Sequence, residues 1–153
     1  MLAQIPATIP TPPPVVALSA ARDLAPCQGK RALQALVVDD EPLVRWAIAE
    51  TLRTAGYEIQ EAGDADGAVR ALFERATEPD LVLLDLRLPD CVDLSLLETV
   101  LLFAPEATVV LMTAFGTPEV RHAALRLGAA CVLDKPFDVD GLDGLISTLR
   151  ERR

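Results

Sequence analysis

The sequence predicts a doubly wound α/β fold: a five-stranded parallel sheet, strand order 2-1-3-4-5, with helices on both faces. Three observations predict it. Between residues 35 and 150, short apolar runs alternate five times with segments of helical periodicity. Most of the runs are apolar throughout, so both faces of each strand are covered, as in a parallel sheet between helical layers. Pro42, Pro79, Pro89, Pro105, Pro118 and Pro136 all fall between periodic segments, where proline punctuates regular structure.

Residues 35–39 (ALVVD) form the first strand, an apolar run ending on acid. Residues 42–55 place Leu43, Ala47, Ile48 and Leu52 at helical spacing. Pro42 suits the first helical turn and Gly56 the position past the last. Residues 58–62 are the second strand and 65–76 the second helix. The third strand, 81–86 (LVLLDL), is apolar around Asp85. Residues 94–103 are helical, and 108–112 (TVVLM) favour a strand. Residues 118–127 form the fourth helix, closed by Gly128. Residues 131–133 are the last strand and 139–150 the last helix. Trp46 is assigned to packing and His122 to solvated surface.

The predicted domain occupies residues 34–153. The first 33 residues hold six of the twelve prolines and only four charges, Arg22, Asp23, Lys30 and Arg31; they read as a flexible, Pro/Ala-rich tail. A chain of 153 residues suits one such domain. Acids outnumber bases 23 to 14, a net charge of −9, of which the tail carries +2 and the domain −11. That balance argues against a nucleic-acid-binding module held by phosphate contacts, which needs a basic face. Residues 1–21 are uncharged, but five prolines interrupt them and no base precedes them. Neither a secretory signal nor a spanning helix is expected. Cys27, Cys91 and Cys131 show no disulfide framework and no metal-ligand spacing, so a reduced intracellular setting is expected.

The strands run into chemically useful residues: the first into Asp39, Asp40 and Glu41, the third into Asp85, the fourth into Thr113, the fifth into Lys135. In a parallel sheet these C-terminal ends share one edge, and ligands bind there where the strand order reverses, between strands 1 and 3. Asp39, Asp40 and Asp85 around one crevice repel one another. An all-oxygen set of this kind suits a hard divalent cation such as Mg²⁺. Lys135 is the only lysine of the predicted domain, beside ten arginines; a lone ammonium at an acidic crevice suits a compact-cation role. Together these groups support phosphoryl transfer to a carboxylate, with cation and hydroxyl on the phosphoryl oxygens.

VVDDEPLVR (37–45), LVLLDLRLPD (81–90), LMTAFG (111–116) and LDKPF (133–137) resemble the receiver domains of bacterial two-component response regulators, a flavodoxin-like, CheY-like family. The motifs keep the family's order, with 45 residues from Asp40 to Asp85, 28 to Thr113 and 22 to Lys135. The resemblance implies that Asp85 accepts a phosphoryl group from a histidine kinase. It implies that Asp39 and Asp40 bind Mg²⁺, Asp40 being favoured as the direct ligand, with the backbone carbonyl of Arg87 completing the site. Thr113 and Lys135 would each contact a phosphoryl oxygen. Phosphorylation would then alter the surface of the fourth helix, fifth strand and fifth helix, where a downstream protein binds.

Two departures stand out. Val132 occupies the position, three residues before the lysine, where the family has Tyr or Phe, so the output switch is altered or read elsewhere. Asp93 stands where the family has glycine and is expected to cap the third helix. The resemblance is to a stand-alone cytoplasmic receiver, not an enzyme, without DNA binding or membrane attachment of its own. Two alternatives remain. One is a degenerate receiver acting as a phosphorylation-independent interaction module. The other is an aspartyl-phosphate phosphatase, which would need an acid where Arg87 stands.

Overall fold

The computed structural model describes residues 31–152. The expected N-terminal tail lies outside the described residues up to position 30, as does Cys27. The chain folds as β1 (Leu33–Val38), α1 (Pro42–Thr54), β2 (Tyr57–Ala62), α2 (Ala65–Glu74), β3 (Leu81–Asp85), α3 (Ser95–Phe103), β4 (Thr108–Thr113), α4 (Pro118–Leu127), β5 (Cys131–Asp134) and α5 (Leu142–Glu151). The sheet order is β2-β1-β3-β4-β5, every pair parallel. The predicted fold class and order stand.

Strand alternation divides the core in two. Ala35, Val37, Leu81, Leu83, Val110 and Met112 face Ile48 and Leu52 of α1 and Leu142 and Ile146 of α5. Leu36, Val38, Val82, Leu84, Val109 and Leu111 face α2, α3 and α4 through Ala68, Leu97, Val100 and Ala124. Each central strand is buried on both sides, which is why its sequence is apolar throughout.

Local chemistry sets the helix limits. Pro42 opens α1, and Gly56, at φ +90°, follows its end. Asp64 caps α2 by accepting from the Gly67 N–H. Thr117 caps α4, and Gly128, at φ +127°, closes it. Several readings shift, among them the end of α2, at Glu74 rather than 76. β1 begins at Leu33, two residues early, because Gln34 pairs with Glu58 and its N–H bonds Asp80. α5 begins at Leu142, not 139, after a turn in which Asp138 accepts from the Asp140 N–H. On α1 the inward row is Ile48, Ala49 and Leu52, which leaves Leu43 82% exposed and Trp46 60% exposed. Trp46 is thus not a packing residue: it lies two positions from Ile48, on the far side of a helix that turns about 100° per residue.

Candidate functional site

Asp39 follows β1 directly, Asp85 ends β3, Thr113 ends β4 and Lys135 follows β5. The parallel register brings these ends to one edge, where β1 and β3 are neighbours. Asp39, Asp40 and Asp85 each offer a carboxylate oxygen, all within 4.8 Å of one another. Asp39 is fully buried, Asp85 is 6% exposed and Asp40 is exposed.

Lys135 Nζ reaches into the cluster, 2.6 Å from Asp39 Oδ2, 2.7 Å from Asp85 Oδ2 and 3.6 Å from Glu41 Oε1. Two backbone donors orient the carboxylates: Glu41 N–H bonds Asp39 Oδ1 at 2.9 Å, and Arg87 N–H bonds Asp85 Oδ1 at 3.0 Å. Lys135 N–H in turn bonds the Thr113 carbonyl at 2.8 Å, tying the lysine to β4. Thr113 is wholly buried, and its Oγ1 accepts from the Phe115 N–H at 3.2 Å. That leaves the hydroxyl hydrogen free to donate elsewhere.

The electrostatics are those of crowded acids around one ammonium. Burial pushes the Asp39 carboxyl above its ordinary range, and contact with the Lys135 ammonium only partly offsets it. Burial opposes the Lys135 ammonium, but its bonds to Asp39 and Asp85 more than offset that and hold its pKa above the usual value. Asp39 Oδ2, although ion-paired, lacks a well-aligned hydrogen-bond donor. A buried carboxylate oxygen with an unused lone pair, beside two further carboxylates, fits a hard cation with oxygen ligands.

Several neighbours were not legible as part of the site. Arg45 Nη1 donates to the Asp39 carbonyl at 2.6 Å while its Nε pairs with Glu61, bracing the acidic turn. The Arg87 guanidinium lies 5.1 Å from the centre of the Phe115 ring. Asp90 accepts from the N–H groups of Ala65 and Asp66 and so straps the loop after Asp85 to the start of α2; these bonds draw its pKa down. Asp93 accepts from the N–H of Ser95, the first residue of α3, but it is not the expected cap: the N-cap position is Leu94, which makes no side-chain cap bond. A groove of about 440 Å³ adjoins Lys135 and Glu41, walled by Leu43, Val44, Ala47, Pro136, Phe137 and Val139. His122 is exposed, as expected. Cys91 and Cys131 are free, and burial pushes the Cys131 thiol up.

The family model of the response regulator receiver domain matches residues 35–147. The chain belongs to that family, the receiver domains of two-component response regulators. It is 37% identical over 124 residues to the nitrogen assimilation regulatory protein NtrX of Azorhizobium caulinodans, covering 77% of this chain and 27% of NtrX. It is 38% identical over 104 residues to protein CcdB of Bacillus subtilis, covering 67% of this chain and 85% of CcdB. A solved CheY-like receiver domain protein from Methanospirillum hungatei superposes with a TM-score of 0.70 at 25% identity, covering 79% of this chain and 96% of that one. The chain spans about a quarter of the length of NtrX and of several further curated regulators. Receiver domains are signalling domains that interact with histidine kinases and bind Mg²⁺ at an acidic pocket. Among the described residues no helix is long and apolar enough to cross a membrane.

Proposed function

We propose that this chain is a cytoplasmic switch that accepts a phosphoryl group on Asp85 from the phosphohistidine of a sensor kinase or phosphotransfer protein. The observation that supports this best is the shared ammonium: one lysine bonded to both Asp39 and Asp85, inside a cluster of three carboxylates. An Asp85 oxygen attacks phosphorus; the O–P bond forms as the P–N bond breaks, and the electron pair leaves with the imidazole nitrogen. The Arg87 N–H holds the attacking carboxylate in place. Lys135, already 2.7 Å from Asp85 Oδ2, pairs with a phosphoryl oxygen, and the Thr113 hydroxyl donates to another. Asp39, Asp40, Asp85 and the Arg87 carbonyl hold Mg²⁺, which when bound supplies positive charge to the phosphoryl oxygens.

The phosphorylated state then alters the face of α4, β5 and α5 and changes which protein binds there. The protein takes up one phosphoryl group rather than turning over as an enzyme. A net charge of −11 on residues 34–153 supports action through protein contacts, not DNA. Val132 favours the second reading, a phosphorylation-independent interaction module.

Intact-mass spectrometry after incubation with acetyl phosphate and Mg²⁺ tests the proposal. The expected gain is about 80 Da, one phosphoryl group, lost without Mg²⁺ and in Asp85→Asn. No gain from acetyl phosphate or from a panel of histidine kinases would leave the interaction module as the better reading.

A further inference from the structure

The side chains of Thr113, Val132 and Asp134 share one face of the sheet, the face that packs against α4. Leu111 and Val109 lie in that core layer, and strand alternation puts Thr113 on the same side. Val132 packs against it as well. The register pairs Thr113 directly with Asp134 across β4 and β5. An aliphatic side chain at 132 cannot swing in to follow a moving threonine as a ring would. The space beside Thr113 is instead governed by Arg121 of α4.

Arg121 Nη1 donates to the Val132 carbonyl at 3.4 Å, and Nη2 is ion-paired with the Asp134 carboxylate. The same guanidinium lies against Gly116. A Cβ at that glycine would stand 3.5 Å from Arg121 Nε and Nη2, and 2.8 Å from the Thr113 methyl. Gly116 therefore leaves the threonine and the arginine packed around the space a side chain there would fill. Thr113, Gly116 and Arg121 form one packed series that ends on β5.

Resting on the phosphoacceptor reading above, we infer that Arg121 is the positioning residue that couples the site to the α4–β5 surface: its bonds to β5 hold the unphosphorylated arrangement. In that arrangement Thr113 Oγ1 is occupied by the Phe115 N–H. The free hydroxyl hydrogen donates without breaking that bond, so drawing Thr113 toward a phosphoryl oxygen pulls the Phe115 N–H along and moves residues 114–116. Gly116 then presses on or withdraws from Arg121, and the Asp134 latch opens. By linkage, a contact made only in the unphosphorylated state opposes binding of a phosphoryl mimic, and removing it favours binding.

The test is the affinity of the full chain for beryllofluoride in the presence of Mg²⁺, in wild type, Arg121→Met, Asp134→Asn and the double variant. Both partners are partly exposed, 31% and 61% at the side chain, so each single variant is expected to tighten binding about two- to fivefold. The double variant is expected to bind no tighter than either single one. Charge alone predicts something else: removing a cation near the site weakens an anion's binding, while removing Asp134 strengthens it. Opposite signs, additive effects or unchanged affinities with wild type binding normally would overturn the latch. Should Arg121→Met not fold, Asp134→Asn at its exposed position decides alone, through tightening or its absence. No binding by wild type would overturn the phosphoacceptor reading itself, and the latch as a signalling device with it.

Discussion

Replacing Lys135 with methionine tests whether one ammonium holds the acidic site together. Among the described residues no other base is ion-paired with Asp39 or Asp85. Removing the ammonium leaves a fully buried carboxylate and one 6% exposed without a countercharge. Breaking a buried pair from one side costs about 3–5 kcal/mol. Lys135 is itself 11% exposed and Asp40 and Glu41 open the site to water, so the lower end, about 3 kcal/mol, applies. In a domain of this size that is a fall in Tm of about 12 °C at pH 7. The pH dependence has a definite sign. Burial already raises the Asp39 pKa, and the variant loses what lowered it. A carboxyl raised in the folded state favours folding while protonated, and that benefit is lost as pH rises through its folded pKa. The variant's deficit is therefore full at neutral pH and narrows toward pH 4. Mg²⁺ at a hundred times its Kd returns about 2.7 kcal/mol. Urea unfolding followed by circular dichroism, at pH 7 and pH 4.5, with and without Mg²⁺, measures all three. A loss below about 1 kcal/mol at pH 7, or a deficit that does not shrink on acidification, would refute the claim that Lys135 compensates buried charge.

Asp40→Asn is expected to weaken Mg²⁺ binding at least about tenfold by titration calorimetry; in metal-free buffer its stability stays within about 0.5 kcal/mol of wild type, because Asp40 is exposed. In wild type the Lys135 contribution is complete below the ordinary lysine pKa, about 10.4. It is lost as pH rises from there through the raised folded value, so the stability gap to Lys135→Met should hold constant from neutral pH to the ordinary lysine pKa and close above it. Leu97→Ala, at 1% exposure between α3 and the sheet, should cost about 3 kcal/mol in urea unfolding. Gly128→Ala should cost about 1 kcal/mol of thermal stability, since φ +127° is strained for any side chain.

The strands were readable because burial on both faces removes polar residues from a central parallel strand. LVLLD and TVVLM cannot be mistaken for surface. The clustering of the candidate site residues was readable for the complementary reason: a buried Asp85 inside such a run, and one lysine among ten arginines, are exceptions that packing does not explain. What could not be read depends on facing partners. Leu43 and Trp46 belong to a helix whose inward row is set by where β1 lies, and apolar spacing fitted two rotations nearly equally. Arg121 looks like any exposed helical arginine until β5 is laid beside α4 in the register that pairs Thr113 with Asp134. Asp90 signals a turn in LPD, yet its bonds reach Ala65 and Asp66, a contact only the fold creates. Arg45 sits one turn into α1, and no local pattern announces that it braces Asp39.

The sheet's two outermost strands, β2 and β5, bear on how the protein behaves at high concentration. An outer strand presents unpaired backbone groups that can recruit a strand from another chain. Here β2 carries Glu58 and Glu61, drawn into contacts with Gln34, Arg45 and Arg53, and β5 is only four residues long and ends on Asp134. Charge on one margin and brevity on the other make both poor templates for intermolecular pairing. The apolar sequences most prone to stack, in β3 and β4, are kept inside the sheet and become available to other chains only on unfolding.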